Sequence, residues 1–265
     1  QGTLALSDDY TLTVIPGTLT IEKRIIGITA DSVSKTYGDP DPSPLAFTVT
    51  SGTLADGDEV AGALTREIGE GVGTYDILPG TLDAGPNYTF TVEGGTLTIG
   101  EREIEVTADN TTAVYGDDDP EFTWGVSAGT LVGEDTLTGT LDREAGDNVG
   151  EYDILVGTLG NPNYDITFVG AIHQITPRPV TVIGDDVEIV YGASDPILTA
   201  TATGLLRGDE LAGAPIRETG NDVGTYDVLQ GTLAVGPNYE LTEYTPGTFT
   251  IGQRPIEVTP VATGK

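Results

Sequence analysis

The sequence predicts a mostly β protein: a tandem array of small antiparallel β modules in series, forming an elongated rod. Three observations carry that reading. A seven-residue stretch, Val72-Gly73-Thr74-Tyr75-Asp76-Ile77-Leu78, returns as Val149-Gly150-Glu151-Tyr152-Asp153-Ile154-Leu155 and as Val223-Gly224-Thr225-Tyr226-Asp227-Val228-Leu229. The spacing is roughly 75 residues, a period that marks repeated structural units. Second, short runs such as Phe47-Thr48-Val49-Thr50 alternate apolar and polar side chains between turns rich in Gly, Pro and Asp, the pattern of half-buried strands. Third, the joints are short and hold no Gly/Ser tether, and Pro179 and Pro255 restrict the backbone at two of them.

The elements follow in chain order. Residues 1–22 read as the C-terminal part of a truncated module, with Gly2-Thr3-Leu4 matching Gly80-Thr81-Leu82 and Tyr10 matching Tyr88. Leu12-Thr13-Val14-Ile15 and Thr18-Leu19-Thr20-Ile21 read as two strands about a Pro16-Gly17 turn. Full modules are expected over 23–101, 102–177 and 178–253, and the first strand of a further module over 254–265. In the first, Ile25–Ala30 opens as a strand, Tyr37-Gly38 leads into an acidic turn, and Ala55–Gly62 is allowed one short helical turn. The Tyr75 strand, Tyr88–Val92 and Thr96–Ile99 complete it. Gln1 falls inside a module, so the chain is expected to be a piece of something longer, with no signal peptide visible at its start.

Composition narrows the function classes. Among 265 residues there are 11 Lys and Arg against 42 Asp and Glu, a net charge of −31. Such a surface repels nucleic acid and anionic membranes, and no apolar run approaches the roughly 20 residues of a membrane span. The absence of Cys excludes thiol catalysis and Cys-based zinc sites.

The recurring residues read mainly as structure. Gly38, Gly116 and Gly192, and Gly80, Gly157 and Gly231, are expected to supply positive φ or close backbone approach. The recurrent tyrosines are expected to pack their rings and tie their hydroxyls to backbone. Arg66, Arg143 and Arg217 inside the modules, and Arg24, Arg102, Arg178 and Arg254 at the joints, suit carboxylate partners. The candidates for chemistry are the acidic turns after Tyr-Gly: Asp39 and Asp41; Asp117, Asp118 and Asp119; and Asp195. Clustered carboxylates on a turn are candidate Ca2+ ligands, although Asx-Pro turns explain Asp-Pro without a metal. No other cofactor is expected. His173 lies on an alternating strand and has no counterpart in the other modules, and Trp124 is placed where Val49 stands. No catalytic set is expected.

Taken together, Tyr-Gly-Asp-x-Asp-Pro, Gly-Asp-Glu, Gly-Thr-Tyr-Asp-Ile, Asn-Tyr and Gly-Thr-Leu-Thr-Ile, in that order, resemble the MBG repeat of the Tyr-Gly-X type found in bacterial surface and secreted adhesins. The resemblance covers essentially the whole chain. It implies a β-grasp-like module and an extracellular, non-enzymatic array; short strands with frequent turns also suit an immunoglobulin-like sandwich, the alternative fold. The leading functional reading is a stalk or spacer of a large adhesin. Modules that bind glycans or mucin, and a filament or sheath subunit assembling by strand pairing between copies of the chain, are the alternatives. The expected partners are neighbouring modules, host or matrix glycans, or copies of itself.

Overall fold

The computed structural model describes residues 4, 6–206 and 208–260. Their regular structure is entirely β. A first set comprises β1 (Arg24–Ala30), β2 (Val33–Thr36), β3 (Phe47–Ser51), β4 (Thr65–Arg66), β5 (Gly73–Leu78), β6 (Tyr88–Glu93) and β7 (Thr96–Gly100). A second comprises β8 (Arg102–Ala108), β9 (Thr111–Val114), β10 (Trp124–Ala128), β11 (Asp142–Arg143), β12 (Gly150–Leu155), β13 (Tyr164–Val169) and β14 (Ile172–Thr176). The third comprises β15 (Arg178–Gly184), β16 (Val187–Val190), β17 (Ala200–Thr203), β18 (Ile216–Arg217), β19 (Gly224–Leu229), β20 (Tyr239–Thr245) and β21 (Gly247–Gly252). Each set makes one three-stranded and one four-stranded sheet, ordered β3-β1-β6 and β2-β7-β5-β4 in the first and repeated in the others.

The tandem β array stands, and two particulars differ from expectation. Pairing is mixed rather than antiparallel throughout: β1 runs parallel to β6, and β2 parallel to β7. The cause is local. The segments β1–β2 and β6–β7 run side by side in one direction, and each bends from one sheet into the other, at Asp31-Ser32 and at Gly94-Gly95. Ser32 Oγ accepts the amide of Thr96 at 3.1 Å across that bend, and Asn110 and Asp186 do the same for Ile172 and Thr248 at 2.8 and 2.7 Å. The second difference is the missing helix of a β-grasp fold. The Ala55–Gly62 stretch forms a turn, with the Asp58 amide bonded to Ala55 O at 3.0 Å, and an isolated bridge from Ala61 to Asp83. Its apolar residues lack the 3.6-residue period that would bury one helical face. Two sheets fit the sandwich alternative better, but the parallel pairs distinguish these modules from an all-antiparallel immunoglobulin ladder.

In the first set Ile26, Ile28 and Tyr88 form one buried cluster and Ala30, Leu64 and Ile77 another; Phe47, Leu82 and Val92 touch both. Burying each Ile contributes about 1.5–3 kcal/mol. Tyr88 donates to Asp58 Oδ2 at 2.5 Å and accepts from the Ala55 amide at 2.9 Å. Tyr239 repeats this with Asp209 and the Leu206 amide. The Gly-Asp-Glu motif therefore supplies the hydroxyl's partner. Burial, followed by the Asp209 carboxylate, raises the Tyr239 pKa above its ordinary value.

Gly38, Gly116 and Gly192 have φ of 82°, 81° and 80°, and Gly80, Gly157 and Gly231 have 58°, 57° and 61°. Both trios are thus in the left-handed region that glycine adopts freely. Trp124 pairs with Ala108 as Phe47 pairs with Ala30, so it takes the place of Phe47 and not of Val49.

The strands expected over 12–15, 18–21 and 255–259 do not form. Ile15, Leu19, Ile21 and Ile256 are 88, 86, 86 and 83 % exposed. In the three complete sets the corresponding strands are paired, β6 with β1, and β7 with β2 and β5. Gly2, Thr3 and residues 261–265 lie outside the described residues.

The chain divides into two compact units. One is residues 1–103 with 162–165, and the other is residues 104–161 with 166–265. The first unit therefore takes in Asn163 and Tyr164, which belong by sequence to the second repeat.

Candidate functional site

Each set builds the same polar cluster beneath its Tyr-Gly loop. The Tyr75 hydroxyl donates to Gly71 O at 2.8 Å, Tyr152 to Asn148 O at 2.8 Å and Tyr226 to Asp222 O at 3.0 Å. An arginine lies over each ring: Arg66, Arg143 and Arg217, at 5.5, 5.1 and 5.6 Å from the ring centres. Their side chains are only 10, 12 and 13 % exposed, so each charge needs a partner. Arg66 Nε donates to Asp41 at 2.7 Å, Arg143 Nε to Asp119 at 2.6 Å and Arg217 Nε to Asp195 at 2.8 Å. The second guanidinium nitrogen donates to backbone carbonyls: Glu67 and Gly69, Glu144 and Gly146, Glu218 and Gly220. Those glycines cannot be replaced without movement. A Cβ at Gly69, Gly146 or Gly220 would sit 2.2, 2.2 or 2.1 Å from the Tyr ring.

The clusters differ in what else reaches the carboxylate. In the first, Lys35 Nζ bridges Asp41 Oδ1 and Glu70 Oε2, both at 2.7 Å, with its side chain 4 % exposed. Burial lowers the Lys35 pKa, but the hydrogen bonds to Asp41 and Glu70 outweigh it and the net shift is upward. Hydrogen bonds from Arg66 and then Lys35 hold Asp41 below the usual carboxylate range; those from Lys35 and then Arg66 do the same for Glu70.

In the second cluster the Lys35 position is Ala113: Lys35 pairs with Ile99, and Ala113 with Ile175. A cavity of about 360 Å³ opens there, lined by Ala113, Ile175, Asp118, Asp119, Asp147 and Arg143 among others. His173 replaces Leu97 opposite the tyrosine and is fully buried. Its Nδ1 is 2.8 Å from Thr111 Oγ1. Its Nε2 lies 3.2 Å from Asp119 Oδ1, near enough for charge pairing but not aligned as a hydrogen bond. In the third cluster Ile189 takes the Lys35 position beside a cavity of about 240 Å³, with Asp195, Arg217 and Asn221 on its wall.

The same loops serve the joints. In the first unit Arg102 Nε donates to Tyr37 O at 2.7 Å and Nη2 to Asp39 at 2.5 Å. Asn163 Oδ1 accepts the Val72 amide at 3.0 Å, and Tyr37 meets Tyr164 edge to face at 5.5 Å. In the second unit Arg178 repeats the contacts, with Nε on Tyr115 O at 2.6 Å and Nη2 on Asp117. Asn238 Oδ1 accepts the Val149 amide at 2.9 Å, and Tyr115 meets Tyr239 at 5.4 Å. Tyr115 packs against the third set's buried Val180, Val182, Leu233 and Tyr239. Arg24 has the same position in its own set and donates to Thr53 O instead.

The six carboxylates singled out in sequence therefore separate by role. Asp39 and Asp117 pair with joint arginines; Asp41, Asp119 and Asp195 pair with the arginines over the tyrosines. Asp118 lines the cavity of the second set. Among the described residues no group of three or more His, Asp or Glu side chains converges to hold a metal ion. Sequence reasoning missed Lys35, Glu70, Asp147 and the glycines under the tyrosines. The glycine trio was detectable, since each stands six residues before its tyrosine.

Comparison with known families finds the MBG domain (YGX type) three times in the chain, over residues 26–98, 104–172 and 180–250. No curated protein matches.

Proposed function

The chain belongs to the MBG domain (YGX type) family, and on that premise we propose that it is a non-enzymatic spacer array of a bacterial surface or secreted adhesin, holding a binding region away from its anchor. The observation that carries this reading is the repeated joint. Arg102 and Arg178 donate to the same two groups of the preceding repeat, and Asn163 and Asn238 accept the same amide. Such contacts restrict rotation about a connection of one residue, Glu101 or Pro177, which is what a spacer requires. The burial of His173, which removes the sole histidine from contact with a substrate, supports the non-enzymatic part.

Spin labels on cysteines introduced into the second and third repeats test the joint, since the chain has no native Cys. A narrow distance distribution that broadens in Arg178→Ala/Asn238→Ala is expected. A broad distribution in the unmodified joint would refute the spacer reading. A glycan array separates the rival reading: saturable binding to a mucin glycan would favour a binding role.

A further inference from the structure

We propose that the cavity beside Ala113 is a binding site for a primary alkylammonium group of the kind a lysine side chain carries. The first repeat shows the site occupied. There the butylammonium arm of Lys35 fills the space, and its nitrogen lies 2.7 Å from both Asp41 and Glu70. The second repeat keeps the receiving groups and removes the arm. Asp119 stands where Asp41 does, gripped by Arg143 as Asp41 is by Arg66. Asp147, four residues after Arg143, stands where Glu70 does, four after Arg66. Ala113 takes the Lys35 register position, and its methyl leaves the cavity of about 360 Å³ open.

Charge and chemistry favour the same ligand. Asp118, Asp119 and Asp147 face the space together with one guanidinium, so its wall is net negative. Asp119 Oδ1, the counterpart of the oxygen that receives Lys35, has only the fully buried His173 Nε2 at 3.2 Å and Arg143 Nη2 at 3.3 Å, neither of them an ammonium. Ala113 and Ile175 supply an apolar wall for the methylenes of the ligand. Asp147 is 99 % exposed, so the ligand can approach from solvent. The third repeat lacks this balance: it presents Asp195 against Arg217, with Asn221 in place of the second acid.

The test uses the full chain and n-butylammonium, with N-butylacetamide as a neutral analogue, followed by amide chemical shifts. Saturable shifts confined to Ala113, Asp118, Asp119 and Asp147 are expected with the amine at millimolar concentration and not with the amide. Ala113→Lys is expected to abolish them by supplying the arm internally, and Lys35→Ala to create a second set of shifts around Asp41. Asp147→Asn, at an exposed position, is expected to weaken binding by roughly two- to fivefold. Equal response to amine and amide, no saturable response, or shifts that survive in a folded Ala113→Lys chain would each overturn the proposal. So would tighter binding of calcium at the same residues. The cavity wall also includes the joint residues Tyr115 and Asp117, so the spin-label experiment reads the joint separately, without amine.

Discussion

The first and second repeats share a tyrosine, an arginine and a carboxylate in one arrangement but complete it differently. Around Tyr75 the carboxylate Asp41 receives Arg66 and Lys35, and the Lys35 side chain lies buried beneath the loop. Around Tyr152 the carboxylate Asp119 receives Arg143 and faces a buried histidine, and a cavity remains. The difference separates what the fold requires from what a single repeat can vary. The arginine-to-carbonyl bonds and the glycine beneath the ring recur in all three clusters, whereas the groups on the open side of the carboxylate change.

The largest expected effect therefore comes from the shared part. Gly146→Ala places a Cβ 2.2 Å from the Tyr152 ring at a φ of +155°, where an L side chain is strained. The ring cannot yield without breaking its hydroxyl bond to Asn148 O and its contact with Arg143. A loss of about 3 kcal/mol in the second repeat is expected, combining overpacking with backbone strain. The sole tryptophan, Trp124, lies in that repeat, so denaturant unfolding followed by tryptophan fluorescence reads it directly. A loss below about 1 kcal/mol would show that the tyrosine is not locked in place.

How much of this was legible in the sequence depends on range. The tandem plan, the strand over each Tyr-Asp-Ile or Tyr-Asp-Val stretch and the positive φ at the glycine of each Tyr-Gly followed from period, alternation and glycine chemistry. The parallel pairing did not, because β1 and β6 are far apart in sequence and lie side by side only in the folded repeat, where each continues through a bend into the other sheet as β2 and β7. At the site, the regular arginines and the acids after Tyr-Gly were visible as two separate lists. That Asp39 answers Arg102 while Asp41, two residues on, answers Arg66 depends on the alternation of side chains along the loop and on how the next repeat docks. Lys35 carried no signal in the sequence, since its importance lies in a cavity seen only when Ala113 is superimposed on it in register.

A smaller effect, confined to the first repeat, should appear with pH. Asp41 and Glu70 are held below their ordinary values of 3.8 and 4.5 when folded. Their contribution is therefore present above those values and is lost as pH falls through the lower folded ones. Lys35 has the opposite sign: its folded pKa is raised above 10.5, so its contribution is present below that value and is lost as pH rises through the folded one. Amide exchange of β2 and β7, read between pH 5 and 2, is expected to lose protection more steeply than in Lys35→Met. Both carboxylates are substantially exposed, which keeps the difference modest. Identical slopes in the two proteins would remove the ammonium from the account of this cluster.

The smallest expected effect is that of calcium. Calcium takes six to eight oxygen ligands, and the acidic turns offer it few free ones. Asp39 and Asp117 receive joint arginines, and Asp41, Asp119 and Asp195 receive the arginines over the tyrosines, leaving Asp118 and the exposed Asp147 on the wall of the second cavity. A metal would have to displace a guanidinium or bind through two carboxylates and water. Millimolar calcium against a chelator is accordingly expected to move the Tm by less than about 1 °C, the size of shift produced when ligand concentration is well below Kd. A rise of several degrees that disappears in Asp118→Asn would establish calcium ligation by the second repeat. It would also set that repeat apart from the first, where Lys35 already supplies the positive charge.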